Sequence, residues 1–132
     1  MKALSIILWI IILFQFACTT EPENNYINYK IHIDKIEHPD TISVNDTLTI
    51  KFFGFVGSDG CHGFSHFKVS KKTNDIEFTV WGVKPNFNTL CPSVLVYLEG
   101  KEYKSILNKS GLYRIKINQP NNTFLVDTVF VQ

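Results

Sequence analysis

Residues 43–52, SVNDTLTIKF, decide the fold. Asn45 and Asp46 are turn formers, whose short polar side chains bond to nearby backbone and tolerate the left-handed conformation. The six residues after them, Thr47 to Phe52, then alternate polar and apolar, which puts Leu48, Ile50 and Phe52 on one face of a β-strand. The same period-two pattern extends in both directions. Upstream, Ile27, Tyr29, Ile31 and Ile33 predict a first strand. Downstream, Phe64, Phe67 and Val69 predict a third, less regular one. Ile76, Phe78 and Val80 make a fourth after the turn residues Thr73, Asn74 and Asp75, with Trp81 continuing its far face. Val94, Val96 and Leu98 make a fifth, and Tyr113, Ile115 and Ile117 a sixth. A last strand follows Pro120, Asn121 and Asn122 and runs through Phe124, Val126 and Phe130. No window sustains a helical period, so residues 27–132 read as one all-β domain, an antiparallel sandwich.

Ahead of the domain, Lys2 is followed by an apolar run from Ala3 to Phe14. A bilayer-spanning helix needs about 20 such residues, so this shorter run behind a positive start reads as a cleavable export signal. It ends in Gln15, Phe16, Ala17 and Cys18. A small residue before a cysteine resembles the signals of bacterial lipoproteins, although Gln15 stands where Leu is usual. The resemblance implies a signal peptide over 1–17, removed by signal peptidase II, and diacylglycerol attachment at Cys18. The 18–26 segment is then a tether: Thr19 to Asn25 is polar, contains Glu21, Pro22 and Glu23, and has no apolar period. The implied location is the cell envelope, with the outer membrane as partner through the lipid. Acidic residues soon after the cysteine resemble a surface-export signal, and both membrane faces stay open.

Lys and Arg number 13 against 12 Asp and Glu, and loss of Lys2 with the signal leaves 12 of each. A neutral domain lacks the basic stripe that attracts phosphate, which argues against a nucleic-acid partner. With Cys18 assigned to lipid, Cys61 and Cys91 remain, and an exported compartment permits a disulfide between them. Closing a loop of that length contributes about 3–4 kcal/mol in the chain-entropy treatment.

The stretches SVNDTLTIKF (43–52), SGLYRIKIN (110–118) and FLVDTVFVQ (124–132) are similar to small immunoglobulin-like lipoproteins of Gram-negative bacteria. This resemblance implies a seven-stranded immunoglobulin-like antiparallel β-sandwich with a binding or structural role, without catalytic activity or cofactor. Gly111 and Tyr113 resemble a tyrosine corner, in which the phenol bonds back to nearby backbone. In that topology Cys61 follows strand B and Cys91 precedes its neighbour E, so the two face each other at one end. Strand A starts at the same end, and the tether from Cys18 enters there.

Chemistry has one candidate location, GSDGCHGFSH (57–66). Cys61, His62, His66 and Cys91 offer donors for zinc or copper, the alternative function being a metal-binding or thiol-active envelope protein. Against it, adjacent Cys61 and His62 do not have the paired spacing of structural zinc sites, and the 119–123 loop lacks the Cys and His of a cupredoxin. A Cys61–His62 nucleophile pair needs a free thiolate, which an oxidising compartment opposes. Ser58, Asp59 and Ser65 read as turn formers, and no strand face pairs carboxylates for glycosidase chemistry. His32 and His38 read as solvated.

Trp81, Phe53, Phe55, Phe87 and Tyr97 fall outside the main alternation. They suit stacking on a glycan or a protein ligand, but the heavier reading puts them in the core. Thr41 and Thr47, in Asp-Thr-Ile and Asp-Thr-Leu tripeptides flanking the first turn, resemble O-glycosylation acceptors of one Gram-negative lineage; Thr128 in a similar tripeptide lies within a strand.

Overall fold

The structure, a computed structural model, describes residues 25–132. The described residues are all-β, with no helix, and form two sheets in a sandwich-like arrangement. The strands are β1 (Tyr26–Lys30), β2 (His32–Glu37), β3 (Thr41–Ile42), β4 (Thr47–Gly57), β5 (Gly63–Lys72), β6 (Asp75–Pro85), β7 (Val96–Ile106), β8 (Gly111–Asn118) and β9 (Phe124–Val131).

The smaller sheet has the order β2-β4-β7 and is antiparallel throughout. Its centre is β4, whose Leu48, Ile50, Phe52 and Val56 are all buried. In the larger sheet β6 pairs with β5 along one edge. Its other edge is shared end to end by β8, opposite Asp75 to Thr79, and β1, opposite Trp81 to Pro85. Beyond β8 come β9 and the short β3. Two pairings, β6 with β8 and β3 with β9, are parallel, so the larger sheet is mixed rather than antiparallel.

Between the sheets, Phe52 of β4, Phe67 of β5, Phe78 of β6 and Tyr103 of β7 meet edge-on or tilted at centroid distances of 4.8–6.5 Å. Ile33, Ile76, Val80, Ile115, Ile117, Val129 and Val131 fill the space around them. Aromatic pairs at such geometry add about 0.5–1.5 kcal/mol each beyond area burial.

Three expectations change at this level, and the irregularity expected of the third strand is explained. The first strand divides at Ile31, whose N–H donates to Val80 O (2.9 Å): β1 lies in the larger sheet and β2 in the smaller. The apolar alternation passes unbroken through the switch, so nothing in its period announces it. In β5 the register shifts between Phe64 and His66, and this bulge lets Phe64 and Phe67, three apart, both pack on the core. The strand expected from Val94 starts at Val96 and runs to Ile106. It bulges at Gly100, whose φ of 80° is accessible without a Cβ. In β9 the inward phase is Leu125, Val129 and Val131, leaving Phe124, Val126 and Phe130 exposed on the outer face.

His38 is a further correction: its side chain is only 3% exposed, not solvated. Residues 38–42 leave the smaller sheet and run beside β9, where Asp40 O accepts from Phe130 N–H (2.9 Å). That path lays His38 against Asp127, with Nε2 3.2 Å from Oδ2.

Candidate functional site at the bridged end

Strand β4 stops at Gly57 and β5 begins at Gly63; strand β6 stops at Pro85 and β7 begins at Val96. The two intervening loops, 58–62 and 86–95, lie at the same end of the sandwich because β4 and β7 are antiparallel neighbours. Cys61 and Cys91 join them in a disulfide with a Cα–Cα distance of 5.4 Å, inside the range a bridge requires. Backbone bonds brace the junction: Gly60 N–H donates to Pro92 O (2.8 Å), and Val94 N–H to the same oxygen (2.9 Å).

Asp59 organises the shorter loop. Its Oδ1 accepts from the Cys61 N–H (3.0 Å) and from His62 Nδ1 (2.9 Å), and the His62 side chain is 17% exposed. The bond from His62, then that from Cys61, hold the Asp59 carboxyl below the usual carboxylate range, with the nearby charges of His62 and Lys84 adding to the effect. His62 in turn lies edge-on to Tyr29, at 5.6 Å between ring centroids. Tyr29 donates its phenol to Val56 O (2.7 Å), and burial, followed by the charge of Asp59, pushes that phenol up. Gly57 makes the arrangement fit: a Cβ there would collide with the His62 side chain folded over the end of β4.

Beneath the bridge lies a cavity of about 200 Å³, lined among others by Asp59, Cys61, His62, Lys84, Phe87 and Cys91. The structure therefore brings three of the four expected donors, Cys61, His62 and Cys91, to one place. His66 is elsewhere, on β5 opposite Trp81, with which its ring stacks at 6.3 Å, and its Nδ1 bonds to Ser65 Oγ (2.9 Å). The donor atoms that converge within 4.8 Å belong to Asp59, Cys61 and Cys91, and two of these are the bridged sulfurs. A sulfur in a disulfide is neither a thiolate ligand nor a nucleophile. Reduction is the precondition for metal or thiol chemistry here.

Asp59 supplies local hydrogen bonds as its turn-former reading implies, though the sequence did not mark it as the support of His62. The aromatic residues depart from the core reading. Phe87 is 54% exposed, Tyr97 50% and Phe55 39%; Phe55 and Tyr97 form a cross-strand pair at 5.5 Å. Trp81 and Phe53 are half-buried, and Lys35 Nζ lies 4.5 Å over the Phe53 ring. Missed altogether was the apolar character of the longer loop's surface, where Leu90, Val94 and Leu95 join Phe87 as exposed side chains. The only sequence signal was four large apolar residues set among Asn, Thr, Pro and Ser in 86–95.

Thr41, on β3, and Thr47, at the start of β4, are both exposed. Tyr113 donates its phenol to Lys109 O, four residues upstream (3.1 Å). Chain entry is also at the bridged end: Tyr26 pairs with Pro85, and Asn86 N–H donates to Asn25 O (2.8 Å). The signal peptide, Cys18 and the tether up to residue 24 lie outside the described residues. Comparison with protein-family models, curated proteins and solved structures yields no match.

Proposed function

We propose that the protein is a non-catalytic module of the cell envelope, anchored in the outer membrane through acyl chains on Cys18, with a binding or structural role. The carrying observation is the Cys61–Cys91 bridge. Structural disulfides form and persist in oxidising compartments, so the bridge agrees with export directed by residues 1–17. It also uses the two sulfurs that a metal or thiol reading needs.

The sandwich is a variant of the immunoglobulin-like plan. Supporting this are the β2-β4-β7 order, which matches strands A, B and E, the β8–β9 hairpin in the place of F and G, and the Tyr113 phenol bonded to Lys109 O. The variation lies in the β5–β6 hairpin, which puts β6 rather than β5 beside β8, in parallel.

The test is the intact mass of the full chain expressed with its leader in a Gram-negative host, recorded before and after reduction. The expected species starts at Cys18, carries diacylglycerol and gains two hydrogens on reduction. A chain retaining 1–17 without lipid would sink the anchored reading. Two free thiols with bound zinc or copper would install the metal-binding alternative in its place.

A further inference from the structure

The anchored reading leaves open what the bridged end itself touches. Four large apolar side chains project from 86–95: Phe87 at 54%, Leu90 at 101%, Val94 at 52% and Leu95 at 58% exposure. An isolated exposed leucine is ordinary, but four large exposed apolar side chains within ten residues concentrate apolar surface on one loop. The segment contains no Asp, Glu, Lys or Arg. Across the bridge, the Asp59 carboxylate is engaged by His62 and the Cys61 N–H. The disulfide and the Gly60–Pro92 bond hold the loop in place, so its side chains are displayed with little further ordering to be done on contact.

The position of the chain's entry selects the partner. Asn25 O accepts from Asn86 N–H, so the described chain begins beside the base of this loop. Seven residues, 18–24, separate Asn25 from the site of lipid attachment, and fully extended they reach about 25 Å. The 86–95 loop is therefore on the side of the domain that an anchor at Cys18 holds toward the bilayer. Other exposed apolar side chains, Phe55 and Tyr97 as a cross-strand pair and Phe124, Val126 and Phe130 on β9, lie on sheet faces, and Lys116 Nζ is 3.7 Å over Phe124.

We infer that the bridged end is a lipid-contacting surface, with Phe87, Leu90, Val94 and Leu95 entering the headgroup and acyl boundary when the protein is anchored. This rests on the proposed lipid at Cys18. The domain then sits against the bilayer in one orientation instead of swinging on its tether. The opposite end, with the 107–110 and 73–74 turns, is the one presented outward.

The test uses full-length lipidated protein in vesicles of phosphatidylethanolamine and phosphatidylglycerol, with and without lipids brominated near the top of the acyl chain. Leu90→Trp places a reporter at a fully exposed position, and Asn108→Trp places one at the far end; the parent chain supplies the Trp81 background. Flotation with the vesicles reads the anchor separately. The expected result is flotation of all three, with bromination removing about half of the added Leu90→Trp fluorescence and little from the other two. Flotation with Leu90→Trp unquenched overturns the lipid contact and leaves the anchor standing. A Leu90→Trp signal that is blue-shifted but unquenched, in a protein sedimenting as a dimer, also overturns it, because a second copy then covers the loop. Failure to float overturns the anchored reading and this inference together.

Discussion

Thr73 closes the β5–β6 hairpin with φ at 38°, in the left-handed region that a β-branched residue occupies at a cost. Asn tolerates that region far better. Thr73→Asn is therefore expected to raise the unfolding free energy by about 0.5–1 kcal/mol, read from urea denaturation; a lowered midpoint would contradict the argument. Asp59 makes a prediction about pH. Its carboxyl is depressed in the folded state by His62 and the Cys61 N–H, so its contribution is present above the ordinary carboxylate pKa, about 4, and is lost as pH falls through the folded value. Stability measured from neutral pH down to about pH 2 should decline less in Asp59→Asn than in the parent. Equal slopes would mean that the Asp59 bonds carry no linkage.

At the scale of elements, the join between the sheets depends on Gln119. It is 4% exposed, and it takes the place of a strand partner: Ile33 N–H donates to Oε1 (3.0 Å) while Nε2 donates to Ile33 O (2.7 Å). These bonds fall where the β2–β4 register shifts between Ile33 and Lys35. Gln119→Leu leaves both backbone groups of Ile33 buried and unpaired, at an expected cost of about 2–4 kcal/mol in chemical denaturation, with hydrogen exchange fastest in β2. A loss below about 0.5 kcal/mol would mean that β2 is held by β4 alone.

Strand β4 was legible because from Thr47 to Phe52 one of its faces is apolar and the other polar, so its period shows which way it faces. Strand β9 was not: apolar residues occupy both of its faces, and only pairing with β8 puts Val129 and Val131 inward. The same limit hid the sheet switch at Ile31 and the burial of His38, which follow from where the chain travels rather than from its period. At the site, the bridge was legible by counting cysteines. The exposed loop was not, since its apolar residues have no period and burial is the usual fate of Phe and Leu.

For the whole molecule, the two sheets meet mainly through side chains, and the disulfide ties together the two loops at one end. Replacing Cys61 and Cys91 together by Ser should lower stability by about 3–4 kcal/mol, seen as a shifted denaturant midpoint in an otherwise cooperative transition. An unchanged midpoint would mean that the loop is already fixed by the Gly60–Pro92 and Val94–Pro92 bonds.

The bridge also encloses the whole of β5 and β6, since it links residues 30 apart that flank both strands. Under tension between its two ends, the domain can therefore pay out only the chain on either side of the closed loop. About 100 Å of contour stays withheld until the bond is reduced. Under mechanical load the domain would in this way carry a fixed limit on its extension, set by two cysteines rather than by the strength of either sheet.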